Sequence, residues 1–241
     1  MFPLRDDNPG GGTALITGAI IALNLLVWVL VQGAGGEPAL SRSICNYGLI
    51  PGELLGHLRL GTAFEVGPGV ECVIGRPVWS SVFTSMFMHG SWFHIIGNLW
   101  FLWVFGNNVE AAVGHGRFVL LYLICGVAAA AVQTAVDASS AIPMVGASGA
   151  IGGVMGAYAV RYPRARVLTL VFFGFFVRTV WMPAWFILGY WFVLQVLGGL
   201  PALASVEGGV AFWAHIGGFV AGAALLFLLG GSARAAEPNA W

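Results

Sequence analysis

The stretch GASGAIGGVMGAYAVRY, residues 146–162, carries no charge before Arg161 and has glycines at 146, 149, 152, 153 and 156. Glycines three and four apart let a neighbouring helix approach closely, as small residues do where helices pack inside a membrane. Directly behind it comes RYPRAR, residues 161–166, a basic cluster of the kind that anchors the inner end of a membrane span. The apolar character extends outward on both sides. Hydrophobic residues make up 59% of the 241-residue chain and charged residues 8%, against about a quarter charged in soluble domains. Such a chain cannot cover its surface with water-compatible groups. Apolar runs near the ~20 residues that cross a hydrocarbon core recur along it, and none alternates with the period of a membrane barrel strand. The expected fold class is an all-α membrane protein, one domain with six transmembrane helices at about 13–32, 92–112, 118–136, 147–162, 183–197 and 209–229.

All ten basic residues are arginines and ten acidic residues balance them, so net charge points to no partner. No basic run points to nucleic acid. With the N-terminus inside, Arg5, Arg117, Arg161, Arg164, Arg166, Arg178 and Arg234 fall on the inner side, and Arg42, Arg59 and Arg76 on the outer side. That excess follows the positive-inside rule. Residues 167–181 (VLTLVFFGFFVRTVW) are apolar but short, carry Arg178 and lie close before Pro183; they read as an interfacial or re-entrant piece. A seventh span there would reverse the C-terminal half. The first apolar run follows a short polar start and lacks a small-residue cleavage site, so it reads as a retained helix.

The long outer loop, 33–90, is expected to fold against the bilayer surface. Cys45 and Cys72 both lie in it. They can form a disulfide if the loop faces an oxidising compartment, and free thiols are equally open. Cys125, in an apolar helix, reads as core packing. Three cysteines make no metal site, and neither a cofactor nor a nucleotide is expected.

Polar side chains inside apolar spans are costly unless paired or functional. His94 and Asn98 lie near the start of span two, Ser148 at the start of span four and His215 near the start of span six. All three spans are even-numbered, so all begin on the same membrane face. Topology alone therefore puts these groups at similar depth. Ser148 at a helix N-terminus has free N–H groups and the positive end of the dipole beside it, as a developing oxyanion needs. A serine needs a positioned base, and His215 is the available one. His94 and Asn98, four residues apart, share one helix face. Taken singly, the serine is a packing residue, the histidine a structural, proton- or ion-path or metal-binding residue, and Asn98 an interhelical hydrogen-bonding group. His89 reads as a surface or loop residue that helps order the site.

The run His94-x-x-x-Asn98, then Gly146-Ala147-Ser148-Gly149, then Ala214-His215-x-Gly217-Gly218 resembles the rhomboid intramembrane proteases in order, spacing and topology. The likeness includes Met86-Phe87-Met88-His89-Gly90 and Leu194-Gln195. It implies a six-helix rhomboid bundle with a cavity open to the outer face. Ser148 would be the nucleophile and His215 the base, in a dyad without a third carboxylate. His94, Asn98 and the Ser148 N–H would form the oxyanion hole, with His89, Gly146 and Gly149 in support. Substrates would be single-span membrane proteins cut in or near their transmembrane helix, with span five and the loop before span six as a lateral gate. The expected home is the lipid bilayer of a bacterial inner membrane, both termini cytoplasmic.

Two departures stand out. The first-loop Trp-Arg pair of many bacterial members is absent, since Ser80 follows Trp79. The aromatic four residues after the serine is Gly152 here, which leaves the support of the His215 ring open. Two other readings remain at this point: a non-catalytic rhomboid-like escort, and a small channel using the histidines as proton relays. No H-E-x-x-H run suggests a zinc site, and no intramembrane aspartate pair suggests an aspartyl mechanism.

Overall fold

The computed structural model describes residues 1–8, 13–174, 176–202 and 210–229. Strand β1 (Phe2–Asp6) leads into helix α1 (Leu15–Leu30). The next segment holds α2 (Ala39–Tyr47), α3 (Pro51–Leu54), a hairpin of β2 (Ala63–Gly67) and β3 (Val70–Val73), and α4 (Ser81–Thr84). Then come α5 (Trp92–Val113), α6 (His115–Val136), α7 (Ser148–Arg161), a hairpin of β4 (Arg166–Phe173) and β5 (Phe176–Pro183), α8 (Ala184–Ala202) and α9 (Phe212–Leu228). Among the described residues, α6 and Ala184–Pro201 of α8 are long and apolar enough to cross a bilayer unaided, while α1 and α9 are apolar but shorter. Large apolar side chains cover the outside, including Phe93, Leu30, Phe227 and Leu228, as a hydrocarbon solvent requires. The proposed gate loop at 203–209 and Arg234 lie outside the described residues.

Residues 167–181, expected to be an interfacial or re-entrant piece, have strand conformation. They form most of the β4–β5 hairpin, and β1 adds to its free side as an antiparallel partner, Phe2 opposite Leu170 and Asp6 opposite Val167. A short apolar run does not distinguish strand from helix; the β-branched and aromatic content is what favours the strand. The mostly helical membrane fold therefore carries two small sheets that an all-α class leaves out. The polar start is itself a strand, held by an ion pair from Arg166 Nε to Asp7 at 2.6 Å and by Trp100 Nε1–H donating to the Pro3 carbonyl at 2.6 Å.

Asp6 is part of this attachment. It accepts hydrogen bonds from the Tyr158 hydroxyl and from Asn108 Nδ2 at 2.7 Å. Burial, opposed by the Tyr158 hydrogen bond and reinforced by the nearby Asp7 charge, raises its carboxyl from 3.8 to about 6. A carboxyl whose folded value lies above its unfolded value favours the docked state when protonated, so docking of β1 weakens as pH rises through about 4 to 6. Amide exchange in β1, corrected for intrinsic rates, is expected to be better protected at about pH 5 than at about pH 8. Asp6→Asn is expected to remove that difference. Protection in the wild-type strand that ignores pH contradicts this account.

The end opposite the sheet is built from the 33–90 segment. Cys45 of α2 and Cys72 of β3 are joined in a disulfide, the Leu49 and Met144 backbones bridge, and the Gly52 N–H donates to the Ser140 carbonyl at 2.9 Å. The loop is thus fastened to the α6–α7 connection, which is how it is anchored without a Trp-Arg pair.

Two helix ends are capped from other helices. The Glu110 carboxylate of α5 accepts the Ile16 and Thr17 N–H groups at 2.8 Å each, satisfying free donors at the start of α1. Gln133 Oε1 of α6 accepts the Ala214 N–H at 3.1 Å at the start of α9. Between α7 and α9 the backbones touch. A Cβ added at Gly218 would collide with the Gly149 carbonyl, and one at Gly222 with the Gly153 carbonyl. Gly218→Ala is expected to destabilise the protein by about 1–3 kcal/mol through overpacking. The measurement is the thermal midpoint in detergent, and an unchanged midpoint contradicts contact this close.

Candidate active site

Ser148 is the first residue of α7, so its N–H has no partner within the helix. The α7–α9 contact sets Ser148 beside α9. Its Oγ lies 2.8 Å from His215 Nε2. Gly146 comes just before, at φ +126°, where a side chain would be strained and its Cβ would lie 2.7 Å from His94 Nε2. Its bareness lets the His94 ring lie beside the serine. Gly149 is equally confined, by Ala129 as well as by α9.

Ser91 caps α5, its Oγ accepting the His94 N–H at 3.2 Å. The Gly90 N–H donates to His94 Nδ1 at 3.4 Å, which leaves Nε2 as the protonated nitrogen. Asn98, one turn further on, is 8% exposed, and its Nδ2 has no acceptor among the described protein groups. These groups line one cavity of about 470 Å³, with Ser148, His215, His94 and Asn98 on its wall. The four side chains singled out in the sequence are thereby brought together.

His89, expected on the surface or in a loop, lies in the loop before α5 but is fully buried, and its ring packs edge-on against His94 at 5.2 Å between centroids. Burial, with His94 beside it, pushes His89 down to about 3, so it is neutral at physiological pH. Its backbone is clamped by Gln32, whose Oε1 accepts the His89 N–H and whose Nε2 donates to the His89 carbonyl, both at 2.8 Å. Cys125 is buried against α7, its side chain filling the space above Gly153.

The absent aromatic at Gly152 is replaced from another helix. A Cβ at Gly152 would lie 3.1 Å from the His215 carbonyl, so α7 has no room for a ring there. Trp191 of α8 packs on the His215 ring instead, with centroids 5.8 Å apart and planes 35° apart. On the far side of that ring, Gln195 Oε1 lies 2.7 Å from His215 Nδ1. Sequence reading did not assign roles to Gln32, Gln133, Trp191 or Gln195. The signal for the three glutamines was present: an amide in an apolar segment needs a partner as much as a histidine does.

A family model described as the Rhomboid domain matches residues 76–232. The chain is 31% identical over 161 residues to "Rhomboid-like protein 11, chloroplastic" of Arabidopsis thaliana, covering 64% of this chain and 53% of that protein. It is 29% identical over 175 residues to the human "Presenilin-associated rhomboid-like protein, mitochondrial", covering 72% and 39% respectively. With "Rhomboid protease GluP" of Bacillus subtilis it shares 29% over 146 residues, covering 61% and 24%. The chain thus spans about half or less of the length of these curated relatives. Since the family model takes in more than half of it, the chain belongs to the rhomboid family.

Proposed function

We propose that this protein is an intramembrane serine endopeptidase that cuts single-span membrane proteins in or near their transmembrane helix. The observation that carries the reading is the 2.8 Å contact between Ser148 Oγ and His215 Nε2 on the wall of the cavity. Oγ attacks the scissile carbonyl carbon as its proton passes to His215 Nε2. The oxyanion takes hydrogen bonds from Asn98 Nδ2, His94 Nε2 and the Ser148 N–H. Collapse breaks the C–N bond, His215 returns the proton to the leaving amine, and water releases the acyl group by the same steps.

The bundle crosses the bilayer six times in this reading, with α1 and α5 to α9 as the spans. At 14 residues, α7 is about 21 Å long against a core of roughly 30 Å. Its start, with Ser148, therefore sits below the outer face. The N-terminal strand and the 161–166 arginine cluster gather at the other end, in keeping with cytoplasmic termini. The Cys45–Cys72 disulfide fits an outer loop in an oxidising space, as at a bacterial inner membrane.

The test is labelling by a fluorophosphonate, which reacts with an activated serine. Wild type is expected to label and Ser148→Ala is not. A wild-type protein that stays unlabelled would falsify the enzymatic reading and leave the escort role.

A further inference from the structure

We propose that Gln195 is a positioning residue that fixes the proton of His215 on Nδ1, as the uncharged third member of a one-way hydrogen-bond chain ending at Ser148. This rests on reading Ser148 and His215 as nucleophile and base.

Each link taken alone is ambiguous, because an amide can present oxygen or nitrogen and an imidazole can protonate either nitrogen. The far end of the chain removes the ambiguity. It is the backbone carbonyl of Trp191, which only accepts, and Gln195 Nε2 lies 3.3 Å from it. The amide NH₂ therefore faces Trp191, and Oε1 faces His215 Nδ1 at 2.7 Å. An amide oxygen only accepts, so Nδ1 carries the proton. A neutral imidazole has one N–H, so Nε2 is bare, 2.8 Å from Ser148 Oγ. The hydroxyl then donates to it. The opposite tautomer would turn an N–H toward the hydroxyl and leave the serine without a base.

The choice of an amide follows from the surroundings. A carboxylate would orient the ring as well, but burying an ion costs several kcal/mol unless it is fully paired. Gln195 is 8% exposed and supplies the acceptor without the charge. When Nε2 takes the serine proton, the Nδ1–H to Oε1 bond becomes charge-assisted and strengthens as the transition state forms. The Trp191 ring lies on the same imidazole, so one face of α8 supplies the ring support, the acceptor and the carbonyl that orients the acceptor.

The experiment compares Gln195→Met, close in shape but without an acceptor, with Gln195→Glu, which keeps one. Cleavage of a model single-span substrate in detergent gives kcat and KM, and ¹⁵N spectra of histidine-labelled protein report which ring nitrogen is protonated. Gln195→Met is expected to lower kcat by about 10- to 1,000-fold with KM within about twofold, and to mix the two His215 tautomers. Gln195→Glu is expected to recover most of the loss, and wild-type His215 to hold its proton on Nδ1. Wild-type kcat in Gln195→Met, equal loss in both variants, or a wild-type proton on Nε2 each overturns the proposal. Ser148→Ala runs alongside: residual cleavage there strikes the underlying nucleophile assignment, whereas an inactive Ser148→Ala with a fully active Gln195→Met strikes only this proposal.

Discussion

Ser148→Ala is expected to abolish cleavage, a loss of about 10⁴-fold or more, with the fold intact. Alanine keeps the helix start and removes one half-buried oxygen on the cavity wall, which matters little to packing beside the glycine-rich α7–α9 contact. It takes away the only group in the cavity within hydrogen-bond reach of His215 Nε2 among the described residues. His215→Ala is expected to match it, because an unactivated serine hydroxyl is a weak nucleophile at neutral pH. The two losses will not add, since each variant disables the same step. Appearance of cleaved model substrate on a gel measures both, with gel filtration and thermal unfolding as controls. Residual turnover above a hundredth of wild type in either folded variant removes that residue from the chemistry.

Asn98→Ala carries the next largest effect. It is expected to lower kcat by about 10- to 1,000-fold with little change in KM, as loss of one oxyanion donor does. Asn98 Nδ2 is buried without an acceptor among the described residues, and an unmet buried donor is unfavourable. It lies on the wall of a cavity shared with Ser148 and His94, and in the proposed mechanism it donates to charge that develops only during reaction. A donor of this kind serves the transition state more than the bound substrate, so the loss falls on kcat. A rise in KM at unchanged kcat would mean that Asn98 binds substrate instead. Asn98→Asp keeps the shape without a donor in its ionised form, and its activity is expected to track the alanine variant.

The legible part of the site was its four polar side chains: Ser148, His215, His94 and Asn98 each lie near the start of an apolar segment, and the structure brings them to one cavity wall. The rest depended on contacts that sequence position does not encode. Trp191 stands 24 positions before His215 and Gln195 stands 20 before it, yet both reach its ring because α8 packs with one face toward α9. Gln32 reaches His89 across 57 positions. The strands of the β4–β5 hairpin were not foreseen because their apolar content suits a bilayer as well as a strand, and β1 was hidden in a short polar start.

Membrane class and the place of four polar side chains near the starts of apolar segments are properties of single segments and of their order. They can be read along the chain because hydrocarbon selects residues one segment at a time. Which nitrogen of His215 bears the proton, what supports its ring where Gly152 stands, and how the long loop is fastened depend on the rotation of each helix and its distance from the next. Those quantities come from mutual packing: the bare backbones of Gly149, Gly153, Gly218 and Gly222 let α7 and α9 touch, and that closeness brings the serine and histidine within a hydrogen bond.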